Sequence, residues 1–371
     1  MRYPLVKPYF NTGETEQIKK VLDSGWVSYG PKVKQFESNI CKYLGVNYAI
    51  STSNCTSALH LSLLALGIKK GDEVIVSDFT FPATGHAVMY CGATPRFADI
   101  DDKTYTIDLS SIVNLINKKT KAIIPVHAFG HPAKMYPILE LAKEYHLKVV
   151  EDAACALGSK YRNEYAGTLG DTGCFSFHAR KPITSGEGGV VVTNNKVTAY
   201  YIRNLSIFGM ESAIDRKTSF IPIFTSLGYN YKMSDITAVV ANEQLKKLNL
   251  FNEKKKKLAL YWTKLLHEMI HISPPEIDGT VETNYQSYVA LVSKYIDRDK
   301  LINKLLKKGI ETSFGTYSSH IQPVYQSKDK CPISLDIHQR SLALPLYYKL
   351  TEGDIDIIAE ELDNQLRRIA K

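Results

Sequence analysis

Between residues 48 and 151, short apolar runs alternate with helical stretches at a nearly constant interval. Runs at 48–51, 73–76, 94–98, 122–126 and 148–151 read as strands, and 57–66, 83–91, 110–117 and 135–145 as helices. Strands alternating with helices at this spacing imply a largely parallel sheet covered on both faces. In such sheets ligands bind at the carboxyl ends of the strands. Upstream, a helix over 14–24 with Asn11 or Thr12 as cap precedes one over 31–43 opened by Pro31, with the loop GWVSYGP between them. After residue 194 come helices at 196–205 and 234–248, separated by an irregular stretch at 208–226 that is too long for a simple connector. A helix over 250–271 reads as an arm into a second, smaller α+β domain. There the pattern predicts a strand at 286–292 and helices at 299–308 and 351–369. The expected division is a large domain over 1–249 and a small C-terminal domain over 250–371.

The segment CFSFHARKPITSGEGGVVV, residues 174–192, places one lysine, Lys181, between an apolar strand and a glycine-rich turn. Phe175 and Phe177 alternate with small or polar residues, as in a half-buried strand, and 190–192 is a second apolar run that must pair nearby. Desolvation at the edge of a buried sheet disfavours the ammonium form, so the expectation for Lys181 is a lowered pKa and an amine able to form a Schiff base. A lysine in a polar surface loop reads the same in isolation, so the rest of the chain must decide.

Several classes are excluded. The formal charge of +8 is spread over the chain, and the densest run, the lysines at 254–257, reads as a solvated helix face rather than a nucleic-acid patch. The six cysteines, Cys41, Cys55, Cys91, Cys155, Cys174 and Cys331, contain no C-x-x-C pair, as in a reducing compartment. No stretch approaches a transmembrane length and the N-terminus lacks an apolar signal core, so the expectation is a soluble cytoplasmic protein. His267 to His271 match H-E-x-x-H, but the apolar face of that helix is formed by Leu258, Trp262, Leu265 and Met269, which leaves both histidines facing solvent and no metal expected. G-x-G-x-x-G, G-K and G-x-S-x-G are all absent.

What remains is a set of strand ends. AISTSNCTS, residues 49–57, leads into the apolar helix ALHLSLLALG, and small hydroxyl residues at a helix N-terminus make a ready phosphate seat, although ordinary capping uses the same residues. Asp152 ends the strand VVED, where a buried carboxylate needs a cationic partner such as a ring nitrogen, or serves as a cap. Phe81, after SDFT, offers a flat face to a ring or is a core aromatic. A Schiff-base lysine, a phosphate seat, a strand-end aspartate and a stacking ring are together what pyridoxal phosphate requires.

The blocks SGWVSYGPKVKQFE, CTSALHLSLLALG, GDEVIVSDFTFPAT, GATPRFADID, PVHAFGHPA, VVEDAACALGS, GDTGCFSFHARKPITSGEGGVVVTN, LGYNYKMSDI and ALPLYYKLTEGDI resemble, in order and spacing, the DegT/DnrJ/EryC1/StrS family of sugar aminotransferases. The resemblance implies the fold type I, aspartate aminotransferase-like architecture, with the N-terminal segment packing toward the active site. It makes Lys181 the Schiff-base lysine and proton carrier, Asp152 the partner of the pyridine nitrogen and Phe81 the stacking ring. Thr56, Ser57 and Ser176 hold the phosphate. Asn230, in the G-Y-N-Y block, enters the neighbouring site of an obligate homodimer with shared active sites.

Cys155 departs from the family's usual Gln or His beside the cofactor ring, and Cys55 from a frequent Gly. The implied reaction moves an amino group from an amino acid, glutamate by resemblance, through the pyridoxamine phosphate form of the cofactor to a keto group on a nucleotide-linked deoxy sugar. Lys232 is the first candidate for the diphosphate, and Trp26, Tyr317 and His320 lie in loops the resemblance places near the sugar. The wording HARKPIT leans toward relatives that aminate C4 of UDP-linked hexoses. The alternatives are a dehydratase of the same family, which carries histidine in place of the lysine, and a non-catalytic regulator on the same fold. Lys181 argues against the first, and the retained set Lys181, Asp152 and Ser176 against the second.

Overall fold

The structure, a computed structural model, describes residues 1–211 and 221–370. A seven-stranded sheet runs in the order Tyr48–Thr52, Gly189–Thr193, Thr172–Ser176, Lys148–Asp152, Thr120–Ile124, Glu73–Ser77 and Thr94–Ala98. All its strands point the same way except Gly189–Thr193, which pairs antiparallel with both neighbours. Thr52, Ser77, Ala98, Ile124, Asp152 and Ser176 therefore end on one edge.

Helices cover both faces, so the strands are buried throughout and show no alternation. This corrects the half-buried reading around Phe175: that ring and Phe177 are both fully buried, because each side of the strand meets helix rather than water. The helix Cys55–Ala65 is apolar all round and is buried along most of its length. Pro31–Leu44 is amphipathic, with Val33, Phe36, Ile40 and Leu44 inward, Pro31 in its first turn and Gly45 as a left-handed cap.

The arm helix spans Leu248–Leu266, shorter than the pattern suggested. Its end moves because Ile272 joins a second, three-stranded sheet of Ile272–Ser273, Tyr288–Val292 and Ser341–Leu344. His267 and His271 consequently lie beyond the helix and share no helical turn. Phe251, Lys255, Leu258, Ala259, Trp262 and Leu266 form its inward face, so Lys255 is buried while Lys256 and Lys257 are exposed. The run at 254–257 is thus not a uniformly solvated face, because Lys255 falls four residues after Phe251 and four before Ala259 on the inward stripe.

A second core surrounds the small sheet, with Trp262, Tyr288, Leu301, Leu342 and Ile358 at its centre, and Tyr3 from the N-terminus joins it. Within the irregular stretch after the helix Lys196–Ser206, Met210 pairs with Phe224. Residues 212–220 of that stretch lie outside the described residues.

Candidate active site

The strand ends gather the residues singled out in the sequence. Gly189 pairs with Thr52 on one side and Ser176 on the other. A Cβ on Gly189 would lie 2.5 Å from the carbonyl carbon of Asn54 and 2.7 Å from the Cys55 nitrogen. Only glycine permits this approach, and it seats the N-terminus of the helix Cys55–Ala65 beside Ser176. Asn54 caps that helix, its side chain accepting from the Ser57 amide at 2.8 Å. Cys55 and Thr56 precede the first intrahelical bond, from Ala58 to the Asn54 carbonyl, so their N–H groups point out of the helix end. The Ser53 and Ser57 hydroxyls are 3.3 Å apart at the same end. The Ser176 hydroxyl accepts from the His178 amide at 3.3 Å.

Asp152 is buried at the end of its strand. It accepts from the Thr84 hydroxyl at 2.7 Å and from the Ala154 amide at 3.2 Å. Thr84 in turn lies 2.8 Å from the Thr80 hydroxyl, and Thr80 pairs with Tyr317. The turn carrying Phe81 is therefore anchored to Asp152. Phe81 is 63 % exposed, unusual for a large ring beside a buried carboxylate, and meets Tyr317 edge-on at 6.1 Å.

Lys181 donates from Nζ to the Cys155 sulfur at 3.2 Å. Burial alone would lower the pKa of its ammonium, but the contact with Cys155 and the fields of Asp152 and Cys55 outweigh burial, and the net direction is upward. The lowered pKa expected from desolvation is not what this arrangement gives, because the acidic neighbours were not part of that reasoning. The same neighbours show that the lysine, the strand-end aspartate and the start of the helix Cys55–Ala65 belong to one cluster.

The other sequence candidates are dispersed. Asn230 is exposed and bonds through its side-chain oxygen to the Lys232 ammonium, which lies 5.0 Å over the Phe208 ring. Lys232 bridges to Thr52 and the Tyr231 carbonyl accepts from the Ser53 amide at 2.7 Å, so this segment runs along the helix N-terminus. His320 donates from Nδ1 to the Asp78 carboxylate at 2.9 Å, and Asp78 also accepts from the His320 backbone N–H at 2.6 Å. The bond to Asp78 raises the imidazole pKa against the opposing effect of burial. Trp26 is exposed against Gly30 on a loop held by the carboxylate of Asp235.

Sequence reasoning missed Thr84, Gly189 and Asp78. Asp78 had a usable signal, since it follows a strand end in SDFT as Asp152 does in VVED. It is fully buried and also binds Ser318 at 2.7 Å and Ser334 at 2.5 Å.

The cluster fits a phosphorylated pyridine cofactor on its own chemistry. The cradle at Gly189 brings hydroxyls and free amides to one point, which suits a phosphate. Among the described residues Asp152 has only neutral hydrogen-bond partners for a buried charge, which suits a ring cation, and Phe81 presents an open aromatic face.

Comparison with known proteins agrees. The profile of the DegT/DnrJ/EryC1/StrS aminotransferase family matches residues 8–363. The GDP-perosamine synthase of Escherichia coli O157:H7 is 39 % identical over 366 residues, covering 98 % of each chain. Among solved structures, the aminotransferase TlmJ from Streptoalloteichus hindustanus superposes with a TM-score of 0.94 at 27 % identity over 100 % of both chains. The pyridoxal-phosphate form of the putative sugar aminotransferase Spr1654 from Streptococcus pneumoniae gives 0.92 at 26 %, again over 100 % of both. The architecture is that of the pyridoxal-phosphate aminotransferases. The chain belongs to the DegT/DnrJ/EryC1/StrS aminotransferase family, and it is a pyridoxal-phosphate-dependent sugar aminotransferase of amino-sugar biosynthesis.

Proposed function

We propose that Lys181 is the reactive amine of this aminotransferase, that glutamate is its amino donor, and that its acceptor is a keto sugar carried on guanosine diphosphate. The observation that carries the assignment is the meeting of Lys181, Cys155 and Asp152 at the strand ends. Pyridoxal phosphate, when bound, supplies an electrophilic carbon for amines and a sink for the electrons left at the donor's Cα. Asp152 pairs with the ring cation, Phe81 covers a ring face, and Thr56, Ser57 and Ser176 hold the phosphate. Lys181 Nζ would take the proton from the donor's Cα and pass it on within the same half-reaction, and in the second half would deliver a proton to the acceptor carbon. Pairing Asp152 with a cation cancels part of its pull on Lys181, which lets burial favour the free amine. Cys155, whose sulfur lies 3.2 Å from Lys181 Nζ, would line the ring's side of the site.

Lys232, Trp26, Tyr317 and His320 are the proposed acceptor contacts, with Lys232 on the diphosphate. The E. coli relative favours guanosine diphosphate over the uridine diphosphate suggested by HARKPIT. The protein acts as a homodimer in the cytoplasm. In support, Asn230 is exposed and is preceded by a run of exposed apolar side chains, Ile223, Phe224 and Leu227, a patch of the kind that marks an interface. The large cofactor-binding domain is assigned to residues 1–249; in support, the arm helix leaves one hydrophobic cluster after Phe251 and joins the other at Leu258. The test is a panel of 3-keto and 4-keto nucleotide sugars offered with glutamate. Amination of a GDP-linked keto sugar is expected, and turnover of UDP-linked sugars alone contradicts the assignment.

A further inference from the structure

The Lys181 loop is held from the side of the small sheet by a buried polar network that none of the chemistry above uses. Asn284 and Gln286 lie just before the strand Tyr288–Val292 and are both buried. The Gln286 side-chain amide donates to the Arg180 carbonyl at 2.6 Å, one residue before Lys181. The Asn284 amide donates to the carbonyls of Cys155 and Leu157, both at 3.0 Å. These two side chains therefore grip the backbone at Cys155 and next to Lys181, the two residues whose side chains meet at 3.2 Å.

The grip is itself fixed from several directions. Asn284 Oδ1 accepts from the Gln286 backbone N–H at 2.8 Å, and the Asn284 backbone N–H donates to the Ser159 hydroxyl at 3.1 Å. Ser159 donates onward to the Gly130 carbonyl at 2.7 Å. Gly130 is left-handed, and a Cβ there would fall 1.9 Å from Asn284 Oδ1, so the carboxamide occupies the space a side chain would need. From the arm helix, Lys255 donates to the Gln286 carbonyl at 3.1 Å.

Tyr285, between Asn284 and Gln286, has φ 48°, in the left-handed region that a tyrosine rarely adopts. Its ring belongs to the core around the small sheet, whereas its neighbours' side chains reach the large sheet's loops. Strained backbone of this kind persists where the surroundings impose it, and it concentrates at functional sites.

We propose that Asn284 and Gln286, backed by Lys255, are positioning residues that hold the Lys181 amine and Cys155 in register. They act through the carbonyls of residues 155 and 180 and touch no reacting atom. They also make the placement of the amine depend on how the small sheet is seated against the large one. The inference rests on Lys181 being the cofactor-binding amine.

The test compares wild type, Lys181→Ala, Gln286→Met and Asn284→Asp as full-length protein stripped of cofactor and then given pyridoxal phosphate. The rate at which the visible band grows, the pH midpoint of that band and the melting temperature are measured for each. Gln286→Met keeps the length and loses the donor, and Asn284→Asp keeps the acceptor and loses the donor. Both are expected to slow formation of the band by about tenfold and to move its midpoint by about one pH unit, with the melting temperature of Gln286→Met close to wild type.

Unchanged rate and midpoint in both variants overturn the proposal. So does a slowing that appears only together with a matching loss of melting temperature in both, since that marks a purely structural role. A wild-type protein without the band, or a Lys181→Ala protein that retains it, instead defeats the assignment of Lys181.

Discussion

Two lysines, a part-buried one on the strand-end loop and a buried one on the arm helix, show what a neighbourhood does to an amine. Lys255 is only 7 % exposed and its bond is to a backbone carbonyl. Burial lowers its pKa to about 8, with only a weak opposing pull from Cys155. Burial acts on Lys181 in the same direction, but Cys155, Asp152 and Cys55 reverse it. Burial thus sets one sign, and acidic partners decide whether it survives. An amine that must change protonation during a reaction benefits from partners whose charge is itself cancelled when ligand binds, and only Lys181 has them.

The contrast is broken most severely by removing the reactive amine. Lys181→Ala is expected to lower the rate of amino transfer by on the order of 10⁴-fold, measured as product formed from a keto sugar and glutamate, whereas Lys255→Met, which removes only the backing of the positioning network, is expected to cost no more than about tenfold. Next in size, Asp152→Asn is expected to reduce kcat/KM by about 10² to 10³-fold. It should also move the Lys181 amine in the cofactor-free protein to a lower pKa, read from the pH dependence of its chemical labelling. An unchanged labelling profile would show that Asp152 does not set the state of Lys181.

The sequence made part of this contrast legible. Each of the nine stretches read as strand or helix between residues 48 and 151 appears in the structure, with ends shifted by a few residues at most. Periodicity carries element type well and boundaries poorly. Lys181, Asp152 and the start of the helix Cys55–Ala65 were legible because each stands at the end of an apolar run. The neighbours that decide their electrostatics were not. Thr84 reaches Asp152 across 68 positions of chain, and Gln286 reaches the Arg180 carbonyl across 106. Contacts of that range leave no local pattern. Lys255 was misread for a different reason, since a run of four lysines obscures the single position that falls on the inward stripe.

The pH dependence of stability sharpens the comparison further. The folded-state pKa of Lys255 is about 8, below the roughly 10.4 of an unfolded lysine. Between those values the unfolded chain binds more protons than the folded one, so stability rises with pH through this window. At about 1.4 kcal/mol per unit the contribution of this one group is roughly 3 kcal/mol. Denaturant unfolding of wild type and Lys255→Met from pH 7 to 10 checks it: wild type should gain stability relative to the variant as pH rises, and a constant difference would contradict the burial of a titrating amine. The smallest effect belongs to the exposed neighbour. Lys257→Ala is expected to change stability by less than about 0.5 kcal/mol, and a loss comparable to that of a core substitution would mean that the register of the arm helix is wrong.

The most direct measurement of the central claim distinguishes the two lysines in one experiment. The full-length protein is saturated with pyridoxal phosphate, reduced with borohydride, digested, and the modified peptide identified by mass. The expected result is stoichiometric labelling at Lys181, with Lys255 unmodified. Labelling at Lys255, or scattered over surface lysines with Lys181 unmodified, would contradict the assignment of Lys181 as the amine that holds the cofactor.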